Sequence, residues 1–97
     1  MKTLILLIAA INLSFFIPHA SANSAYCEWI GSAATIIAEN RDNGLSEFDL
    51  IENYLNQNQS YQEQTIILPL IERVYTIERN ISPNEIAIVE QQHCELA

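Results

Sequence analysis

The apolar positions fall into one nearly unbroken run, then four stretches of helical spacing. The run is Leu4 to Ile17, interrupted only by Asn12 and Ser14. Beyond it, Tyr26, Ile30, Ala33, Ala34, Ile37 and Ala38 recur at the three-and-four interval of an amphipathic helix, with Cys27 and Trp29 alongside. The spacing predicts a first helix over 25–43, closed by Gly44 where a left-handed residue usually ends a helix. Tyr26, Trp29, Ala33 and Ile36 share one face, and Ile30, Ala34 and Ile37 the adjoining one. The helix is thus apolar over most of its circumference, which predicts that it is central and buried. The alternative for Trp29 is an exposed aromatic that contacts a partner.

Three further helices are marked by their starts. Ser46 is placed as an N-cap with Asp49 three residues on, and Leu45 with Leu50 as a hydrophobic staple. A second helix over 47–55 follows, expected to bury Phe48, Ile51 and Leu55. Asn56 to Gln59 holds no apolar residue and reads as a loop. Ser60 with Glu63 repeats the capping pattern and opens a third helix to about Arg79. Its stripe is Ile67, Leu70, Ile71, Val74 and Tyr75, joined by Ile66 and Ile77, with Asn80 closing it. Pro69 lies inside and is expected to kink the helix or split it near Thr65. Ser82 as N-cap, Pro83 at N1, Glu85 at N3 and an Ile81–Ile86 staple start the fourth helix, which runs to about Cys94. By propensity alone, Thr65–Leu68 and Ile86–Val89 would also suit strands. The capping chemistry outweighs this, and the expected class is all-α.

The leading apolar run reads as an export signal. Lys2 precedes it, Pro18 ends it, and Ala20-Ser21-Ala22 forms an A-x-A cleavage site before Asn23. Residues 1–22 are therefore expected to be removed between Ala22 and Asn23, leaving 23–97 as one helical domain. The run is shorter than the roughly 20 residues of a spanning helix, so no membrane association is expected after removal. Tyr26 before Cys27 is too bulky for the small-residue site of a lipidated cysteine. The expected location is the periplasm or the exterior. A chain of 97 residues excludes multidomain enzymes, nucleotide-binding α/β folds and barrels. Leu, Ile, Val and Phe supply 20 of the 75 residues after the signal, too many for a disordered chain.

Charge narrows the partners. All twelve acidic residues lie after the signal, against Arg41, Arg73 and Arg79 and no lysine, which leaves a net charge of −9. Nucleic acid and anionic membranes would repel such a chain, whereas a basic protein would suit it. Glu47, Asp49 and Glu52 cluster on the second helix and are the candidate partner-binding residues. Acids in a first turn also complement the helix dipole.

Cys27 and Cys94 stand near the two ends of the exported chain. An oxidising compartment and two cysteines permit one intramolecular bridge. The rival is a Cys/His metal site with His93, which would have only three ligands without metal-site spacing. A bridge would require the first and last helices to lie side by side and antiparallel, giving a small four-helix domain closed by one disulfide. The chain-entropy model assigns such a loop roughly 4 kcal/mol.

Other chemistries fail on spacing. If Gly44 were the sixth position of a calcium loop, the third would be Arg41 and the twelfth Leu50, neither of which coordinates calcium. His93 is the only histidine after the signal, and G-x-S-x-G, a Gly-rich phosphate loop and H-E-x-x-H do not occur. No catalytic residue, metal or cofactor is expected. Asn58-Gln59-Ser60 and Asn80-Ile81-Ser82 match glycosylation sequons, the second disfavoured by Pro83.

Cys27, the run from Arg41 to Ser46, Val74-Tyr75, Ser82-Pro83-Asn84-Glu85 and Cys94 follow one another in an order that resembles small secreted single-disulfide helical proteins of Gram-negative bacteria. In outline the chain is similar to the Rap/Tai immunity proteins of type VI secretion and to the HdeA-like acid-stress chaperones. Only the two cysteines carry over as residues, and the absence of lysine departs from the chaperones. A charge of −9 on a disulfide-stapled domain without a catalytic constellation points to a periplasmic binding protein, of immunity or inhibitor type, that occludes a basic partner. The alternatives are an acid-stress chaperone, whose charge would swing to about +5 at pH 2, or a secreted structural protein.

Overall fold

Ser46, Ser60 and Ser82 each carry extended backbone into a helix, their hydroxyls accepting from the amides of Asp49, Glu63 and Glu85. A computed structural model describes residues 23–97, and the expected export segment with its cleavage after Ala22 lies outside them. The described residues form four helices and no strand: α1 (Asn23–Asp42), α2 (Glu47–Leu55), α3 (Tyr61–Tyr75) and α4 (Pro83–Leu96). None of them is long and apolar enough to cross a membrane. The end of α1 is a Schellman turn: Gly44, at φ +93°, donates to the Arg41 carbonyl and Leu45 to that of Asn40. Leu45 and Leu50 are both buried, as a staple across the α2 start requires.

Cys27 and Cys94 are bridged, with Cα atoms 5.5 Å apart. The first and last helices run antiparallel along a seam of small residues. Gly31 faces Ala87, and a Cβ at Gly31 would stand 2.9 Å from the Ala87 carbonyl oxygen. Further along, the Thr35 hydroxyl donates to the Pro83 carbonyl at 3.3 Å. This contact and the disulfide are thus two ties between α1 and α4, with the tight Gly31–Ala87 approach between them. The core fills the space between α1, α3 and α4 with Ile30, Ala34, Ile37, Ile67, Leu70, Ile71, Val74 and Ile86. As its all-round apolar pattern predicts, α1 is central, with α4 and α3 packed against it.

Four expectations are corrected. Pro69 does not split α3: Pro69 and Thr65, whose carbonyl it leaves without a helical donor, are both exposed, so that carbonyl is open to solvent. The helix ends at Tyr75 rather than near Arg79, because the Val74 and Glu78 carbonyls accept from the Arg41 guanidinium and the chain turns through 76–80. Ile77, in that turn, is 82% exposed rather than part of the stripe. Finally, α2 packs on α3 through Leu50 and Tyr54, leaving Phe48 and Leu55 exposed rather than buried.

Candidate functional site

The nine residues of α2 split into two faces. Leu50 and Tyr54, four apart, are fully buried against α3. At about 100° per residue, Phe48 and Leu55 fall within about 20° of each other and roughly opposite that buried face. Phe48 is 70% exposed and Leu55 41%. Glu52, four residues after Phe48, shares the outward face, and Asp49 flanks it; both are exposed. Glu47 is half-buried on the α3 side; burial pushes the Tyr75 hydroxyl up to about 12 against the charge of Arg41, and the charges of Glu47 and Asp42 add to the rise. Of the three acids expected to meet a partner, Asp49 and Glu52 therefore flank an exposed aromatic, and Glu47 is turned aside. His93 is exposed in the last turn of α4.

Tyr54 is held by a buried acid that local pattern alone does not assign to it. Its hydroxyl donates to Glu63 Oε2 at 2.7 Å, and both side chains are fully buried. Burial pushes Tyr54 above its ordinary range, and the adjacent Glu63 carboxylate adds to this, so the phenol stays the donor. Glu63 is itself raised by burial against the opposing bond from Tyr54, and its Oε1 has no partner. The capping pattern points Glu63 at the backbone; instead it turns into the core, in register with Ile67, Leu70, Ile71 and Val74.

The basic residues are largely turned inward. Arg73 binds Glu90 with two hydrogen bonds, Nε to Oε2 at 2.9 Å and Nη2 to Oε1 at 2.8 Å, and its Nε lies 3.8 Å from Glu78. Glu90 is fully buried, yet its pKa is lowered: burial alone would raise it, but the two hydrogen bonds and the charge of Arg73, helped by Glu78 and the charge of His93, overcome this. Glu78 carries the cost. Burial first, then the neighbouring Glu90 carboxylate, push it up to about 7, against the opposing charges of Arg73 and Arg41. Glu90 is therefore the ionised member of the pair, and Glu78 keeps its proton to a higher pH than an ordinary carboxyl does. Arg41, its side chain only 10% exposed, donates from Nη1 to the Val74 and Glu78 carbonyls and from Nη2 to that of Ile81, while Nε pairs with Asp42.

Only Arg79, among the three arginines of residues 23–97, is exposed, so the acids at the surface face little positive charge. Among the described residues no group of three or more His, Cys, Asp or Glu is arranged to hold a metal ion. What this arrangement presents to a partner is charge and apolar surface. Compared with known proteins, the chain matches no family model, no curated protein and no solved structure.

Proposed function

We propose that this is an exported binding protein of the immunity or inhibitor type, which occludes a basic partner protein in the periplasm or outside the cell. The observation that carries the reading is where the charges lie: Arg41 and Arg73 are used within the fold, whereas Asp49, Glu52 and five further acids are exposed. Such a surface attracts a basic partner over distance and speeds the encounter. The disulfide across the whole domain suits an oxidising compartment. The acid-stress chaperone ranks second, because any acidic protein shows part of the charge swing on which it relies.

Pull-down from periplasmic extract at low salt tests the reading. One defined basic protein should be recovered, should be released by salt, and should lose its activity when the purified protein is added back. Recovery of a different set each time, or a partner whose activity is untouched, overturns it. An effector gene adjacent to this one would support it independently.

A further inference from the structure

Resting on that reading, we propose that the outward face of α2 is the docking surface, and that its occupant is a cationic, amphipathic segment of the partner. Phe48 and Leu55 would receive an apolar side chain, and Asp49 and Glu52 the lysines or arginines beside it.

Three observations converge on this face. Leu50 and Tyr54 anchor α2 to α3, and the buried Tyr54–Glu63 hydrogen bond sets its rotation, so Phe48 is outside because the helix is locked in that orientation. An aromatic ring held out on a rigid helix is the kind of side chain that dominates interface energetics. The sequence of α2 contains three acids and no basic residue, so the ring is rimmed by one sign of charge. Charge complementarity therefore selects a cationic occupant. It also disfavours a second copy of this chain, since a two-fold contact through α2 would bring Asp49 and Glu52 of both copies together. The exposed part of α4 offers less: the depression of about 210 Å³ along it is lined by Ile88, Gln91, Gln92 and Glu95, with one acid and no aromatic.

The experiment titrates the purified, oxidised protein with three synthetic helical peptides: one of leucine and lysine at helical spacing, the same with glutamate for lysine, and one of lysine and serine. Amide chemical shifts map the contact. The leucine–lysine peptide should bind, salt should weaken it, and the shifts should centre on 47–56. Phe48→Ala should weaken binding about tenfold or more and leave the thermal midpoint unchanged, since the ring is exposed. Glu52→Lys should weaken binding and flatten its salt dependence. Ile88→Ala, on α4, should change nothing. Binding of the leucine–lysine peptide that maps elsewhere, or that Phe48→Ala leaves intact, overturns the docking surface while the binding-protein reading stands. A partner recovered by pull-down whose binding is insensitive to Phe48→Ala does the same. Equal binding of the glutamate peptide overturns the cationic occupant. A concentration-dependent dimer abolished by Phe48→Ala shows a second copy to be the occupant and overturns the proposal.

Discussion

Arg41 reaches from the last turn of α1 to the carbonyl of Ile81, 2.7 Å from Nη2 and 40 residues along the chain. The same guanidinium takes the carbonyls of Val74 and Glu78, so one side chain ends α3, holds the turn after it and aims the chain into α4. Tyr75 answers from the other side, its hydroxyl donating to the Leu45 carbonyl at 2.6 Å and fixing the turn into α2. Removing the fork by Arg41→Ala takes the guanidinium from three carbonyls, of which Glu78's keeps the Ile81 amide, and should lower the unfolding free energy by about 3 kcal/mol or more. Arg41→Lys should restore less than half, because an ammonium cannot span three acceptors as a planar fork does. Urea denaturation reads both; a loss under about 1 kcal/mol for the alanine variant, within the net range of one ordinary hydrogen bond, would show the turn to be held by something else.

Which of these features the sequence reveals depends on how far apart the interacting groups are. Serine caps, Gly44 and the staples act within five residues, and the reading of 46–50 and 81–86 holds as expected. The disulfide was legible because two cysteines admit one pairing. The Arg41 clasp joins positions up to 40 apart, and no local pattern announces it. On α2 the spacing misleads, since Phe48, Ile51 and Leu55 form a helical stripe as good as that of Leu50 and Tyr54. What decides between them is the Tyr54–Glu63 hydrogen bond, a contact with another helix. A signal for the buried acids was present: Glu63 stands four residues before Ile67, and Glu90 midway between Ile86 and Cys94, each in register with an apolar stripe.

The close seam of α1 and α4 makes Gly31 sensitive to a single methyl. A Cβ there would stand 2.9 Å from the Ala87 carbonyl oxygen, which is backbone and cannot swing away. Gly31→Ala should therefore push the helices apart and cost about 1–3 kcal/mol despite the better helix propensity of alanine. Ser32→Ala, one residue on and exposed, supplies the control. Equal thermal midpoints for the two variants would mean that the seam relaxes freely.

The buried Tyr54–Glu63 pair should respond unequally to truncation of its two members. Tyr54→Phe leaves a carboxylate in the core without its donor and should cost about 1–3 kcal/mol. Glu63→Gln keeps an acceptor for the phenol while removing the buried charge, so at pH 8 it should be at least as stable as the parent. Denaturation of both variants at that pH is the check. A glutamine variant as damaged as Tyr54→Phe would show that the charge itself is needed.

The raised acids also set the direction of the pH dependence. Glu78 is pushed up from 4.5 to about 7, and Glu63 is raised in the same direction, so between those values the folded chain binds more protons than the unfolded one. Stability from Glu78 is fully present below 4.5 and is lost as pH rises through about 7, and that from Glu63 is lost in the same direction. Glu90 has the opposite sign: its pKa is lowered, so its contribution is present above 4.5 and is lost as pH falls below it. The groups facing Glu78 are Glu90 from α4, Arg73 from α3 and Arg41 from α1, and none titrates as a base in this window. Unfolding free energy should therefore rise from about pH 8 to about pH 5 and fall on stronger acidification. Glu78→Gln should flatten the limb between pH 5 and 8 without moving the acid limb, because Arg73 and Glu90 remain paired. Urea denaturation at pH 8, 6.5, 5 and 3 measures the profile. A monotonic decline from pH 8 to pH 5 would remove Glu78 and Glu63 as proton-binding groups of the folded state and would strengthen the case for an acid-triggered chaperone.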